Sequence, residues 1–205
     1  MNKKKKLVYG MLIVALAIVS IVIIKKKYNN TNNKGVNKSL ETKYIHASYG
    51  FDVSNLNNIV ADADYVFIAK VNNSLNTVYK YRTKVEDKWI SSPYTYYSLK
   101  VVQNIKGNLA VNKNIKVLKT GGRGKNSNVN YVYENDILPV KGQYYIFSAY
   151  IQNDGSLLIS GTNSTIKIPS SYKNSSSYKK MNKAAKKGIS RKRTRFSVKA
   201  NKVYM

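Results

Sequence analysis

The chain has no cysteine, three prolines, one histidine, one tryptophan and only nine acidic residues in 205. Without cysteine there is no disulfide, no thiolate metal site, no thiol nucleophile and no lipid-anchoring cysteine. The single histidine, His46, stands in KYIHASYG with no second histidine to share a metal, and a metal centre needs three or four convergent ligands. As a general base it would need an acid such as Asp52 folded back against it. A surface or packing histidine is the simpler expectation.

Six of the nine acids fall in sequence pairs, Asp62 with Asp64, Glu86 with Asp87, and Glu134 with Asp136. Glycoside cleavage needs two carboxyls about 5–9 Å apart across a sugar, which adjacency in sequence does not provide. Asp62 and Asp64 fall where a helix should meet a strand, which favours a turn or capping role. Glu134 and Asp136 lie in a polar loop, and a calcium ion there would require several further oxygens. GGRGK (Gly121–Lys125) suggests a backbone phosphate cradle but fails the Walker pattern: Lys119 replaces its first glycine and Asn126 its Ser or Thr. No catalytic, cofactor-binding or metal-binding residue is assigned, and the expectation is a protein that is not an enzyme.

Against the nine acids stand 36 Lys and Arg, a formal net charge of +27. Such a balance points to polyanions: nucleic acid, anionic lipid or an acidic polymer. Lys, Asn, Tyr and Ile are also abundant together, as AT-rich coding would produce, so the location of the charge matters more than its sum. Residues 1–43 carry +9, residues 44–172 only +6, and the acid-free residues 173–205 carry +12.

Leu7 to Ile24 is an uncharged apolar run of 18 residues between two lysine clusters. At 1.5 Å per residue it spans about 27 Å, close to the hydrocarbon core of a bilayer. It is longer than a signal-peptide core, and Ala15-Leu16-Ala17 lies inside the run, so an uncleaved single-pass anchor is expected. Residues 1–6 are placed in the cytoplasm and the following domain outside, because long domains translocate largely regardless of charge. Residues 25–53, containing YNNTNNKGVNKS, read as a polar stalk.

Ser54 offers an N-cap for a short helix with Leu56, Ile59, Val60 and Ala63 on one face. Strands are expected at Tyr65–Val71, Tyr94–Val102, Asn114–Lys119, Gln143–Ile151 and Ser156–Gly161, with further ones at Asn76–Tyr81 and Thr165–Ile168. Asn153-Asp154-Gly155 marks a hairpin. Short strands with glycine turns and one helix give a mainly β fold, a small antiparallel barrel over residues 54–168. The stretches NLNNIVADADYVFIAKV, YSLKVVQNIKGN, KTGG and PVKGQYYIFSAY…DGSLLISG resemble a set of poorly characterised extracytoplasmic, membrane-anchored domains of Gram-positive bacteria. That resemblance implies an OB-like barrel with an IKG turn and a GxxYxF strand, and it implies no catalytic residues. The insert Leu75–Pro93 and the basic tail depart from its pattern.

The tail, residues 169–205, is expected to be disordered or weakly helical. SYKKMNKAAKKGI would place Met181, Ala184, Ala185 and Ile189 on one face, with Ser177 as cap and Gly188 as stop. Lys179, Lys180, Lys183, Lys186, Lys187, Arg191, Lys192, Arg193 and Arg195 are the candidate anion-binding residues. Their expected partners are membrane lipid headgroups or anionic envelope polymers outside the cell. In the alternative topology the partner is single-stranded nucleic acid at the cytoplasmic face. Tyr94, Tyr96, Tyr97, Tyr144, Tyr145 and Tyr150 lie on predicted strands, where alternation should turn roughly half of them inward, and those that point outward could stack a ligand.

Overall fold

A computed structural model describes residues 40–205 apart from Glu86. The expected membrane anchor at 7–24 and most of the stalk therefore lie outside the described residues. Among the described residues no helix is long and apolar enough to cross a membrane. Leu40–Met205 form a single compact unit, so residues 40–53 and the basic tail belong to the same body as the expected domain.

The body is mainly β. Its two longest strands are β2 (Tyr65–Val85) and β3 (Lys88–Lys106), an antiparallel hairpin paired from Val66↔Lys106 to Val85↔Lys88. Alternation along β2 explains its position. Phe67, Ala69 and Val71 point into one fully buried cluster and Val66 and Ile68 into another, so the strand is apolar on both faces. The segments Tyr65–Val71 and Asn76–Tyr81, expected as separate strands, are one continuous strand. Five register shifts coil this hairpin, and such bulges let one pair of strands close a barrel at one end and project as an arm at the other. The insert Leu75–Pro93 is that arm.

Strands β4 (Asn114–Thr120), β5 (Gly122–Arg123), β6 (Val129–Tyr133), β7 (Tyr144–Ile151), β8 (Leu157–Ile159) and β9 (Thr165–Ile168) follow. Pairing runs β2–β3–β4–β8–β7 and returns from β7 to β2, closing the sheet upon itself, with β9 added along β7. The β4–β8 contact is parallel, at Leu118↔Leu158 and Lys119↔Ile159, where an all-antiparallel barrel was expected. Closure removes the free edges that would otherwise template aggregation. Tyr97, Leu99, Ile115, Val117, Tyr145, Phe147, Leu157 and Ile159 fill the interior.

A second sheet was not foreseen: β1 (Glu41–Ile45) runs parallel to β6, which also pairs with β5. ETKYI is short, and its first four residues are exposed, so no apolar alternation announces it.

Helix α1 (Leu56–Asp62) buries Ile59 and Val60 on the outer face of the barrel. Its cap is Asn55, whose side chain accepts the Asn57 N–H at 3.0 Å, and the expected cap Ser54 instead donates its N–H and hydroxyl to Asp52. The tail is structured. A 3-10 turn at Tyr172–Asn174 leads into α2 (Ser176–Lys186), capped by Ser175 rather than Ser177. Met181 and Ala184 are buried against α1, whereas Ile189 of the expected face is exposed. Gly188, at φ +64°, ends the helix as its position suggests. The short α3 (Ala200–Val203) delivers Val203, fully buried, into the barrel interior. Disorder or weak helicity was expected because the tail's own apolar face is thin; packing against a barrel supplies the remaining burial.

Candidate functional site

The tail cations divide into two groups. Arg191, Arg193 and Arg195 turn inward onto α1 and the residues after it. Arg191 and Arg193 each place Nε 3.7 Å from Asp62 Oδ1. Arg193 Nη2 lies 2.7 Å from Asp64 Oδ2, and Arg195 pairs with Asp64 Oδ1. A helix C-terminus leaves carbonyls unsatisfied and partly negative. These are taken up by cations: Arg193 Nε donates to Asp62 O (3.1 Å), Arg195 Nη2 to Ala61 O (3.3 Å), and Lys106 Nζ to Val60 O (2.7 Å) and Ala63 O (2.6 Å). Asp64 also accepts the Ile151 N–H at 2.8 Å. Burial pushes its carboxyl up, but the Ile151 N–H and the two guanidiniums outweigh that and hold it below its ordinary 3.8. Asp62 and Asp64 are therefore the anchor of a strap formed by the tail.

Lys179, Lys180, Lys183, Lys186, Lys187 and Lys192 are exposed and make no ion pair among the described residues. Five of these six lie along or just after α2, opposite the buried Met181 and Ala184. Of the nine residues read as anion-binding, the structure thus sets six lysines toward solvent and commits three arginines to internal carboxylates.

The remaining acids are also engaged. Lys119 donates to Asp136 and, at 3.3 Å, to Ser164 Oγ, all three buried. Burial lowers the Lys119 pKa and Asp136 opposes that shift. Glu134 accepts from or pairs with His46 Nδ1 at 2.8 Å on the surface. The structure thus sends Glu134 and Asp136 to different places, and no metal-binding cluster occurs among the described residues. The Asp52 partner considered for His46 is occupied by Ser54. A serine, a lysine and an aspartate do meet at Ser164, but with Lys119 and Asp136 fully enclosed no substrate could reach them.

A cleft of about 1000 Å³ opens between the arm and the GGRGK loop, lined by Ile45, Tyr79, Arg82, Trp89, Lys125 and Tyr131 among others. No described carboxylate lines it. Trp89 is 58% exposed and carries the Arg82 guanidinium 4.4 Å from its ring centre. Beside the cleft, Lys80 lies 5.6 Å from the Tyr94 ring. The loop is fastened to the arm by backbone and hydroxyls. Gly121 N–H donates to Pro93 O at 2.9 Å, Thr95 Oγ1 to Gly121 O at 2.9 Å, and the Tyr79 hydroxyl to Arg123 O at 3.2 Å. Gly122 sits at φ +139°, and a Cβ there would come within 2.1 Å of Thr95 Oγ1. Gly122 thus serves close approach to the β2–β3 hairpin, whereas a Cβ at Gly121 or Gly124 would meet Tyr131 of β6, and Arg123 is tied to its own loop through Ser127 O at 2.9 Å. Only Lys125 of that motif is presented to the cleft as a cation. Trp89 and Arg82 were not singled out in the sequence as a site; the run KWISSP within an unexplained insert was the available signal.

No protein-family model matches this chain and no curated protein matches it, so the functional reading rests on these residues alone.

Proposed function

We propose that this is a non-enzymatic, single-pass membrane protein whose extracytoplasmic OB-like barrel presents exposed lysines to an anionic polymer or lipid headgroup of the bacterial envelope. One observation carries the reading. Every described carboxylate has a hydrogen-bond or ion-pair partner within the body, whereas the α2 lysines have none. A surface with uncompensated cations and occupied acids attracts polyanions over a Debye length, weakly per charge but in sum. The OB-type assignment is supported by the closed strand order and its single parallel contact between β4 and β8. The membrane anchor is supported by the apolar run at 7–24.

A second reading is favoured by the cleft. Arg82 stacked on an exposed Trp89, with Lys125 in the same lining, suits the bases and phosphates of single-stranded nucleic acid at the cytoplasmic face.

Topology separates the two. The exposed Ser176 accepts a cysteine in a chain with no other. In intact cells a membrane-impermeant maleimide should label Ser176→Cys as strongly as in lysed cells. Labelling only after lysis would refute the envelope reading and make single-stranded DNA the ligand to titrate.

A further inference from the structure

A second concavity lies on the barrel, sharing no lining residue with the arm cleft and none with α2. It is an open hollow of about 610 Å³ lined by Lys70, Lys100, Lys141, Asn72, Asn112 and Tyr144, together with Gly142 and two valines. Strand register explains why three lysines meet there. Lys70 of β2 is the direct cross-strand partner of Lys100 of β3, Tyr144 of β7 is the partner of Lys70, and Asn114 of β4 is the partner of Lys100. One row across four strands therefore reads Tyr, Lys, Lys, Asn, with Lys141 contributed by the turn before β7.

Like charges placed directly opposite on neighbouring strands destabilise a sheet. The described structure supplies no compensation: none of the three lysines forms an ion pair with a described residue, and no described carboxylate lines the concavity. Lys70 is steadied only by the face of Tyr144, its Nζ 5.8 Å from the ring centre. The polar floor is also held in place, since Asn72 Nδ2 donates to Ser98 Oγ at 3.2 Å and to Asn114 Oδ1 at 3.0 Å. Elsewhere in this molecule cations within reach of an acid take it, as the strap arginines do. Three lysines lining one open concavity without an acid offer donors to an anion with several oxygens.

We infer that the Lys70–Lys100–Lys141 concavity is a phosphoryl-binding site. The three ammonium groups would each donate to a different phosphoryl oxygen, the charge-assisted geometry that holds oxyanions most strongly. The Tyr144 hydroxyl and the Asn112 amide are further polar groups of the lining. The site stands independently of the envelope reading, since no α2 lysine takes part in it.

The test uses purified full-length chain and thermal unfolding, with inorganic pyrophosphate and the soluble diester glycerophosphoglycerol as probes and sodium chloride at matched ionic strength as reference. A ligand bound only by the folded state raises Tm in a saturable way. Wild type should respond to pyrophosphate beyond the salt reference. Lys100→Gln should weaken that response at least about tenfold in apparent affinity, the loss of one charge-assisted contact. Without ligand, Lys100→Gln should melt about 1–3 °C higher than wild type, because the opposed charge is gone. Lys167→Gln, an equal charge change on β9, should leave the pyrophosphate response unchanged. A diester response of similar strength would assign the site to the backbone of a phosphodiester polymer, and a response to pyrophosphate alone to terminal or free phosphate. No response above salt to either probe, or an undiminished response in Lys100→Gln, overturns the assignment.

Discussion

Two stretches of the same basic tail, less than ten residues apart, have opposite fates. In α2 the lysines point away from the body, while Met181 and Ala184 hold the helix down. After Gly188 the arginines point inward to Asp62, Asp64 and the last carbonyls of α1. Net charge per stretch does not separate the two. What separates them is a carboxylate within reach, and side-chain type follows: the planar guanidinium fork suits several acceptors at once, whereas a lysine ammonium remains well hydrated at a surface. The outward group is available for a ligand and the inward group holds the fold.

If that distinction is real, substitutions on the inward side should cost stability and those on the outward side should cost binding. The largest stability loss is expected for Asp136→Ala, which leaves Lys119 as a buried, unpaired ammonium; a loss of about 3–5 kcal/mol in chemical denaturation is predicted. Asp64→Asn should follow at about 1–3 kcal/mol, because it removes the charge beneath two partly buried arginines but keeps an acceptor for Ile151.

The same residue sets a pH signature. The Asp64 carboxyl titrates below its ordinary 3.8 in the folded chain, so its stabilising contribution is complete above that value and is lost as pH falls through the lower folded one. Wild type should therefore lose stability below about pH 4 more steeply than Asp64→Asn, with denaturant midpoints across pH 2–6 as the readout. At the small end, replacing Lys179, Lys180, Lys183, Lys186 and Lys187 by Gln should shift stability by no more than about 0.5 kcal/mol. An equal stability loss in the inward and outward variants would dissolve the comparison.

The barrel strands were legible because β-branched and aromatic residues alternate within them, and Phe67, Leu99 and Phe147 fall inside as that pattern requires. The joining of Tyr65–Val71 with the arm was not, since the arm is polar and its continuity depends on pairing with β3 and on bulges rather than on a hydrophobic period. The cap positions moved by one or two residues, from Ser54 to Asn55 and from Ser177 to Ser175, within the ordinary imprecision of helix ends. The docking of the tail was not legible, for a longer-range reason. Asp62 and Asp64 lie about 130 residues before the arginines they bind, and nothing local to either segment announces the other. The cationic character of α2 was legible, but the cleft beside the Arg82–Trp89 stack was not, because its other wall is the GGRGK loop, brought there by docking against the β2–β3 hairpin.

The central claim is that the outward lysines, and not the inward arginines, hold an envelope polyanion. Retention of the full-length chain on purified cell wall at low and at physiological salt tests it directly, comparing wild type with the variant carrying Gln at the five α2 lysine positions. Truncating the tail would be a poorer test, because Val203 fills the barrel interior. At about 1 kcal/mol per cation near a charged surface, five cations are worth about 5 kcal/mol, so the variant should bind on the order of several thousandfold more weakly at unchanged Tm, and wild type should be released as salt rises. Equal retention of the two proteins, or retention that salt does not alter, would contradict the account.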